Sequence, residues 1–587
     1  MRYIYIILLL VVAPQVVLAQ TYVGRLIGRH GASLPGATIA TFPDQRQLKT
    51  DSSGYFSFDK KKSEQIRITM VGYAPMSIVL GKTRDLGTIQ LRYTENQLEE
   101  VIVNTGYYTL NKNMLTGSFA TVDQKTLTRN PAGNILDRLE GVTSGLQFDR
   151  SLSVGENKFP NALRVRGISS IQSSTEPLVI LDNFPYEGDI NAINPNDIET
   201  VTVLKDAAAA AIWGAKAGNG VIVLTSKKGS LGAPLRLSFQ SNWQLTQKPD
   251  LFYSRQFLPA KDMMEVEEYL YGKGNYYNME SLYIPDYVGL LFKRDANDIA
   301  IADFGTIKAH MQQQDIRQEA KKLLYRNALS QRYAIQARGG AEQSSYFISG
   351  SYDRNPQSII GNSDQRLTFN IDHDLKIGNR LTVNTYFRYA ADKEQQNGYR
   401  LQQLTASGSG LSPYVFLQNT DGTPASLNYQ FNHAYRDGAE SNGLLDWTFN
   451  PLVDRNRRDI SSFSKQLTLG TGLNYKIGGG FSVNLKYRYQ HQAVKQQNLY
   501  DADSYFARNL INQFTQVDGT RVVPLGGIKD GQNSEIIGHN GRVQLDYTRQ
   551  WSMDHQFVAL AGAEVSQNTL NRDIGYRLYG YHADNGT

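Results

Sequence analysis

The chain offers little of the side-chain chemistry that marks enzymes with recognisable motifs. It has no cysteine, which excludes thiol nucleophiles, disulfides and thiolate metal ligands. Its eight histidines are scattered without an H-E-x-x-H pair, and no G-x-S-x-G elbow presents a serine. Gly214, Gly218 and Gly220 suggest a phosphate-binding loop, but no Gly-Lys-Ser or Gly-Lys-Thr follows them. We therefore predict no catalytic residue, metal or cofactor, and we reject nucleotide binding at these glycines.

Two patterns leave other chemistry open. Paired carboxylates can meet in space from any part of a chain, so a secreted hydrolase is retained as an alternative, to be tested by a glycan activity screen. Arg164 and Arg166 alternate along one strand, which favours an ion-paired face over direct ligand binding because structural ion pairs are common. The net charge of +6 over 587 residues is too mild for a nucleic-acid-binding surface.

The elements that would position these residues centre on residues 194–229, NPNDIETVTVLKDAAAAAIWGAKAGNGVIVLTSKKG. Two β-branched runs, at residues 200–204 and 221–225, predict buried strands, and a Gly-Asn-Gly turn leads into the second of them. Asp206 precedes a run of alanines as a helix N-cap would, and Gly214 is expected to end that helix. We expect a small α+β unit.

The first nineteen residues have the pattern of a secretory signal peptide. Arg2 precedes an apolar run, and a small-residue cleavage site ends at Ala19. The run is short and Pro14 interrupts it, so we expect no membrane-spanning helix there or later in the chain. A content of 35 tyrosines and 51 glycines is typical of outer-membrane barrels, the form in which a chain without spanning helices enters a membrane.

The stretch at residues 194–229 resembles the end of the plug domain of SusC-like TonB-dependent transporters, outer-membrane nutrient importers of the Bacteroidetes type. That family typically shows N-P-x-D-I-E-x-I-x-V-L-K-D-A-S-A-A-A-I-Y-G, then N-G-V-I-x-I-T-T-K-K-G. This sequence departs from the pattern at Ala208, Trp213 and Ser226. Because the match is long, the resemblance is far more specific than any short motif.

Three further runs, at residues 134–142, 163–170 and 177–185, resemble other plug motifs of the same family. Asn183 replaces a usual glycine in the last of them, and asparagine tolerates the positive φ that the turn needs. The plug residues that the resemblance singles out are Arg164, Arg166, Gly167, Asp182, Asn196, Asp197, Lys205, Asp206, Gly214, Asn219 and Gly220.

Residues 99–105 resemble a TonB box, an extended segment that adds as a strand to the periplasmic protein TonB. Strand addition needs free backbone groups rather than a particular side-chain chemistry, and a simple linker is the alternative. The family commonly continues with G-Y-G-x-Q, whereas here Tyr107 is followed by a second tyrosine. The predicted box residues are Glu99, Glu100, Val101, Ile102, Val103, Asn104 and Thr105.

The residues before the box alternate short strands and turns and predict a β-sandwich. The pieces GRLIGRHGASLPGATI, TDSSGYFSF and ITMVGYAP resemble the non-catalytic carboxypeptidase-regulatory-like domain that precedes many SusC-like plugs, where contact with the periplasmic energising machinery is one role to consider. Strands are expected at residues 22–27, 31–36, 37–41, 55–58, 65–70 and 77–80.

After the plug, ten segments show period-two alternation and lengths near ten residues, which suit tilted membrane strands. Their connections alternate between long and short, as extracellular loops and periplasmic turns of a barrel do. We expect loops at residues 248–330, 355–364, 391–463 and 491–540. The strands are predicted at residues 235–247, 331–339, 344–354, 366–375, 380–390, 464–477, 481–490, 542–550, 556–566 and 572–581.

The sequence thus predicts a mainly β protein whose barrel is truncated, since plugged transporters have about 22 strands. We interpret the chain as the N-terminal portion of a longer transporter, from either a truncated chain or a broken reading frame. The predicted parts are a signal peptide (1–19), a β-sandwich (20–92), a linker with the TonB box (93–110), a plug (111–230) and part of a transmembrane β-barrel (231–587).

The resemblance implies TonB-dependent import of an oligosaccharide or peptide across the outer membrane, with TonB, outer-membrane lipid and a SusD-like lipoprotein as partners. An iron-siderophore or cobalamin receptor is the first alternative, ahead of a hydrolase or an adhesin. Loop aromatics are candidates for stacking on sugars, although such residues more often pack against each other. These candidates are Tyr276, Tyr277, Tyr283, Tyr287, Tyr414, Phe416, Trp447 and Phe449.

Overall fold

The computed structural model divides the chain into two compact units, Met1–Ile102 and Val103–Thr587. The predicted signal peptide lies outside the described residues, as do Glu99, Glu100, Val101, Arg166 and Gly167. The structure describes residues 21–28, 31–43, 46–59, 64–81, 83–92, 102–111, 117–149, 162–165, 176–206, 210–277, 283–406, 409–551 and 555–582.

The first unit contains two sheets that share one apolar core, as expected of a β-sandwich. The sheet orders are β4-β1-β7 and β3-β2-β5-β6, and Leu26, Ile39 and Ile66 are fully buried in the core. The strand expected at residues 31–36 is wrong: Gly31 and Gly36 have positive φ there, and Ser33 forms only an isolated bridge to Ile27. The strands are β1 (Thr21–Ile27), β2 (Thr38–Phe42), β3 (Gln47–Lys49), β4 (Tyr55–Asp59), β5 (Gln65–Met70), β6 (Tyr73–Val79) and β7 (Asp85–Gln90).

The plug portion of the second unit is built on a five-stranded sheet with the order β10-β15-β16-β13-β14. The two strands predicted at its centre, β15 and β16, form an antiparallel pair in which Val201 faces Leu224. Two short helices, α1 (Gln124–Leu127) and α2 (Ile135–Leu139), cover this sheet. The strands are β8 (Ile102–Asn104), β9 (Thr109–Asn111), β10 (Phe119–Asp123), β11 (Leu146–Asp149), β12 (Ala162–Val165), β13 (Leu178–Leu181), β14 (Phe184–Pro185), β15 (Ile198–Leu204) and β16 (Val221–Ser226).

The helix expected after Asp206 is not a regular α-helix where the structure describes it. Two 3₁₀ turns occupy Ala211–Ala217 and break at Gly214, whose φ of 57° lies in the left-handed region. The carboxylate of Asp206 accepts a hydrogen bond from the backbone N–H of Ser118, 2.5 Å away, and so joins two plug segments. Trp213, within these turns, is buried in a cluster with residues of the plug sheet.

The barrel portion is one antiparallel sheet, with β17 to β21 followed by β24 to β27 in chain order. The strand β28 pairs with β26 beyond the end of β27, so it continues β27 along the same neighbour. Its strands are β17 (Arg236–Thr246), β18 (Ala328–Gly340), β19 (Ser344–Pro356), β20 (Asn362–Ile377), β21 (Leu381–Gln396), β24 (Arg458–Gly478), β25 (Phe481–Tyr500), β26 (Gly527–Gln550), β27 (Gln556–Arg572) and β28 (Tyr576–Tyr581), while β22 (Thr405–Ala406) and β23 (Ser409–Gly410) form a separate ribbon.

Several barrel strands extend well beyond their predicted ends. The loop expected at residues 491–540 is wrong at both ends, because β25 continues to Tyr500 and β26 already begins at Gly527. The loop expected at residues 391–463 is likewise shorter at both ends. These extensions are polar on both faces, as in Lys495-Gln496-Gln497-Asn498, so no hydrophobic alternation marks them.

The long connections fold into helices around an apolar core of their own. The helix predicted around residues 261–271 is confirmed as α3, and α4, α5, α6 and α9 were not predicted. The helices are α3 (Ala260–Gly272), α4 (Asp286–Asp295), α5 (Ile301–Gln312), α6 (Ile316–Leu323), α7 (His433–Asp437), α8 (Pro451–Asp454) and α9 (Tyr505–Gln513). Within the described ranges, no helix combines the length and apolar character needed to cross a membrane.

Candidate functional site

The face of the large sheet that carries arginines lies against the plug, and an ion-paired cluster fixes one side of this interface. Asp353 of β19 accepts hydrogen bonds from Arg332 (2.9 Å) and Arg366 (2.5 Å) and is 1% exposed. Arg332 also donates to the carbonyl oxygens of Pro131 and Ala132 in the plug, at 2.9 and 2.8 Å. The two guanidinium groups therefore bind barrel carboxylate and plug backbone together.

Arg138 of α2 adds a third buried guanidinium to this cluster, from the plug side. Its Nε donates to the carbonyl oxygen of Ala132 (2.9 Å) and its Nη2 donates to Oδ1 of Asn196 (2.8 Å). Burial, together with the neighbouring charges of Arg332 and Arg366, lowers the pKa of Arg138 to about 10. The predicted plug residue Asn196 thus holds a cation in place.

Asp182 lies at a second contact between plug and wall. Its carboxylate accepts from the backbone N–H of Ser226 (2.9 Å), from the Ser226 hydroxyl (2.6 Å) and from Arg388 of β21. Burial alone would raise the pKa of Asp182, but the Arg388 charge and the Ser226 hydrogen bonds hold it below its usual value. The predicted positive φ of Asn183 is confirmed at 79°, and Asp182 itself has a φ of 46°.

Asp197 is buried between the plug and strands β18 and β20. Its carboxylate accepts hydrogen bonds from Asn370 and, at 3.2 Å, from Gln336. The amide of Gln336 also donates to the carbonyl oxygen of Asn196 (2.8 Å), and its side-chain oxygen accepts from Lys227 (3.3 Å). Burial raises the pKa of Asp197 despite these donors.

The segment at the end of the predicted TonB box is attached to the plug. The indole N–H of Trp213 donates to the carbonyl oxygen of Thr105 (2.9 Å), and Asn104 donates to the hydroxyl of Thr225 (3.1 Å). The rings of Trp213 and Tyr107 lie 4.4 Å apart. Two side-chain contacts therefore hold the last box residues against plug elements that follow them by more than 100 positions.

The same segment is attached to the barrel wall through Arg542 of β26. This guanidinium is 3% exposed, lies over the ring of Tyr107 at 3.8 Å and donates to the carbonyl oxygen of Gly106 at 3.2 Å. Glu564 of β27 accepts from Arg542 (2.6 Å) and from the hydroxyl of Tyr107 (3.1 Å). We call Thr105, Gly106, Tyr107, Trp213, Arg542 and Glu564 the box anchor.

A cavity of about 50 Å³ lies between the plug and the wall, beside Asp197. Asn194, Tyr186, Arg388 and Gln466 contribute polar groups to its lining. A water molecule needs about 10 to 15 Å³ of such volume, so the space accommodates a few waters and no oligosaccharide or peptide.

The remaining predicted plug residues serve the plug's own structure where they are described. Lys205 donates to the Ser144 hydroxyl (2.8 Å), and Asn219 donates to the carbonyl oxygen of Glu176 (3.3 Å). Gly220 has a φ of 87°, and a Cβ there would lie 2.8 Å from Val165. Arg164 lies on β12 opposite Gln147, away from the arginine clusters.

Most of the loop aromatics pack inside the loop core rather than on an open surface. Tyr287, Tyr414, Trp447 and Phe449 are all buried there, which supports the packing interpretation over sugar stacking. Tyr277 is the exception, with 74% of its surface exposed. Among the residues that the structure describes, no group of three or more His, Cys, Asp or Glu is placed to hold a metal ion.

Sequence reasoning missed the wall arginines, which supply many of the hydrogen bonds between the wall and the plug. Arg332, Arg366, Arg388, Arg488 and Arg542 each lie in mid-strand at a position whose parity faces the plug. A signal was present, since a charged residue inside an amphipathic membrane strand must face the lumen rather than lipid. This signal identifies the face of the sheet on which each arginine lies, but not the plug group that the arginine binds.

Comparison with known proteins agrees with the fold. Residues 111–221 match the TonB-dependent Receptor Plug Domain family. TonB-dependent receptor P26 of Formosa agariphila is 25% identical over 487 residues, covering 77% of this chain and 45% of that protein. TonB-dependent receptor SusC of Bacteroides thetaiotaomicron is 30% identical over 231 residues, covering 37% of this chain and 22% of SusC. The chain thus spans less than half the length of these curated relatives.

The solved structures with the same fold include the RagAB peptide importer. In its open-open state the TM-score is 0.63 at 19% identity, covering 82% of this chain and 51% of that chain. In its closed-closed state the TM-score is 0.60 at 20% identity, covering 80% and 49%. The plug match, the SusC and P26 relatives and the shared fold identify the chain as part of an outer-membrane TonB-dependent receptor of the SusC/RagA type.

Proposed function

We propose that the protein to which this chain belongs imports a nutrient across the outer membrane by TonB-dependent movement of its plug. TonB would add its strand to residues 99–105 and pull on them from the periplasm. The observation that carries this proposal is the box anchor, in which Thr105 at the end of the box is hydrogen-bonded to the plug through Trp213 and the next residue, Gly106, to the wall through Arg542. Force on the box therefore acts first on the contacts that seat the plug.

The interior of the interface supports the same mechanism. The wall holds the plug through charge-assisted hydrogen bonds rather than through a continuous apolar core, and water can replace such bonds once they open. The cavity beside Asp197 is too small for a nutrient, so transport needs displacement of the plug. No covalent bond is made or broken in this process, and we propose no enzymatic activity for the chain.

The cargo and the partner are proposed on the family resemblance. We infer an oligosaccharide or a peptide as cargo, since the similar solved structures are described as those of a peptide importer. A SusD-like surface lipoprotein is the expected partner on the extracellular side. Uptake of fluorescent oligosaccharides and of a labelled peptide mixture by cells with and without the receptor distinguishes the two classes.

TonB coupling is tested independently of cargo by binding a peptide of residues 96–108 to the purified C-terminal domain of TonB. Val101→Pro removes a backbone N–H and should abolish binding, whereas Val101→Ala preserves the backbone and should retain it. In cells, deletion of residues 99–105 should stop uptake at unchanged surface abundance of the receptor. Normal uptake by the deletion variant would overturn the TonB-coupled mechanism.

A further inference from the structure

Contacts with the plug define which face of the large sheet looks away from the lumen. Arg388 of β21 binds Asp182, Gln466 of β24 binds the Tyr186 hydroxyl, and Arg488 of β25 binds the carbonyl oxygen of Pro185. These three residues have even numbers, and successive side chains of a strand point to opposite faces. Odd-numbered residues of these strands therefore lie on the outer face.

The outer face carries an apolar band of the height that a membrane requires. On β24 the outward positions from Leu467 to Ile477 are Leu467, Leu469, Thr471, Leu473, Tyr475 and Ile477. This span has ten residue steps, and at roughly 3.3 Å a step with a tilt of about 40° it rises about 25 Å, the height of the lipid-facing band of outer-membrane barrels. Ile477 borders the tight turn to β25, so Leu467 marks the extracellular boundary of the band.

Three lysines lie on the outer face immediately beyond this boundary. Lys393 of β21 and Lys495 of β25 flank Phe463 of β24 in register, and Lys465 lies two residues along β24 from Phe463. The ammonium group of Lys393 lies 5.2 Å from the centre of the Phe463 ring. Lys465 and Lys495 are exposed. Because neighbouring strands are about 4.8 Å apart, the three charges fall within roughly 10 Å of one another.

No carboxylate pairs with these lysines in the part of the chain that the structure describes. A groove of about 630 Å³ adjoins them and is lined by Phe463, Lys465 and Lys495 together with two acidic residues. Neither acid forms a salt bridge with these lysines: Glu535 contacts His491 at 2.6 Å, and Asp573 accepts from Asn533 at 3.1 Å. Three lysines thus face two carboxylates, so the patch keeps a positive charge for an external anion.

We propose that Lys393, Lys465 and Lys495, with Phe463 between them, bind the phosphorylated headgroup of a glycolipid in the outer leaflet. The position of the lysines just beyond the apolar band places their ammonium groups at the level of the lipid headgroups. The lysines lie on the outer face, which is in contact with lipid, and their three positive charges complement phosphate. Phe463 lies on the extracellular side of Lys465 and supplies an aromatic surface for the sugar of the headgroup. This site lies on the opposite side of the wall from the plug and does not depend on the proposed import function.

The test uses the intact receptor purified from outer membranes in detergent, with bisphosphorylated lipid A as the probe and thermal unfolding as the measurement. Each lysine near a membrane surface contributes up to about fivefold in affinity for anionic lipid, so replacing all three by glutamine should weaken lipid A binding roughly a hundredfold. The matched control replaces Lys261, Lys293 and Lys322 by glutamine, since these exposed lysines carry the same charge on the loop helices.

We expect lipid A to raise the unfolding temperature of the wild type and of the control variant but not that of the Lys393, Lys465 and Lys495 variant. Chemically dephosphorylated lipid A should produce no shift in any of them. An equal shift in the triple variant would overturn the site. An equal shift of the wild type with inorganic phosphate, or with phosphatidylglycerol at the same concentration, would overturn its assignment to the glycolipid.

Discussion

The indole N–H of Trp213 donates a 2.9 Å hydrogen bond to the backbone carbonyl oxygen of Thr105, the last residue of the predicted TonB box. Trp213 is 7% exposed and stands in a cluster with Ile180, Val221 and Val223 of the plug sheet. One side chain thus connects the segment on which TonB would pull to the strands at the centre of the plug. Its position in sequence is the one at which this chain departs from the family's usual tyrosine.

Replacing Trp213 by phenylalanine should loosen the end of the box without emptying the cluster. The substitution leaves the Thr105 carbonyl without its donor, at a cost of about 1 to 3 kcal/mol, or roughly five- to a hundredfold in local opening. Hydrogen exchange over residues 102–108 should accelerate accordingly. Trp243→Phe is the control, since Trp243 is 61% exposed on β17 and bonds only locally, to Ser241. Unchanged exchange in Trp213→Phe would contradict the anchoring role.

Replacing Asp353 by asparagine should unseat the plug from the wall. The substitution removes the charge that two buried guanidinium groups share, and breaking a buried pair costs about 3 to 5 kcal/mol. Thermal unfolding and protease cleavage of residues 131–138 are the measurements. Asp530→Asn is the matched control, because Asp530 pairs with the more exposed Arg577 and such a pair contributes about 0 to 1 kcal/mol. Equal effects of the two substitutions would refute the role of Asp353 in seating the plug against the wall.

The loop core should weaken as pH rises, because of Glu267 on α3. Burial, with a smaller contribution from the nearby carboxylate of Asp286, raises the pKa of Glu267 to about 7, although the hydroxyl of Tyr414 donates to it at 2.7 Å. The folded core therefore favours the protonated acid. Its stabilisation is complete below the unfolded pKa of about 4.3 and is lost as pH rises through about 7, a change on the order of 3 kcal/mol.

Proteolysis of α3 and α4 between pH 5 and pH 8, with a protease of flat pH profile, measures this dependence. Glu267→Gln should keep the core closed at both pH values, since the amide carries no charge. Glu265→Gln is the control, because Glu265 is exposed and faces Lys261 at 3.9 Å. A pH dependence that survives in Glu267→Gln would show that another group is responsible.

A pair of glycine substitutions separates backbone strain from steric overlap. Gly220 and Gly232 have φ values of 87° and 66°, but a Cβ would meet Val165 at 2.8 Å only in the first case. Alanine at Gly232 should cost about 1 to 2 kcal/mol from the left-handed backbone alone. Alanine at Gly220 should cost about 1 to 3 kcal/mol more because it overpacks the core. Equal unfolding temperatures of the two variants would contradict this difference.

The sequence predicted the membrane-embedded halves of the barrel strands well and their extracellular halves poorly. On β24 the alternation from Leu467 to Ile477 arises because one face meets lipid and the other meets plug and water. Above Lys465 the outer face has left the apolar band and the alternation disappears. The strand continues to Arg458 through backbone pairing with β25 and, as far as Ser461, with β21. A local hydrophobic pattern cannot predict a strand segment that forms through backbone pairing with neighbouring strands.

The plug motifs located the candidate site but not its partners. Asp182 and Asp197, singled out by the family resemblance as plug residues, lie at the interface with the wall, and Arg388 and Asn370, which bind them, lie more than 170 residues away. The box anchor joins Gly106 to Arg542 across 436 positions. Sequence periodicity predicts the face of the sheet on which Arg542 lies. The carbonyl group that Arg542 binds depends on the register of the seven barrel strands that precede β26.

The shared core of the long connections has a mechanical consequence. Buried residues of three separate connections, among them Tyr287, Tyr414, Trp447 and Tyr505, pack into one cluster. Polar contacts tie the same connections together, as in the bond from Trp447 to Asn509 (2.9 Å). These contacts therefore brace the extracellular rim of this wall. A force on any one of these connections is therefore shared with the others through the common core.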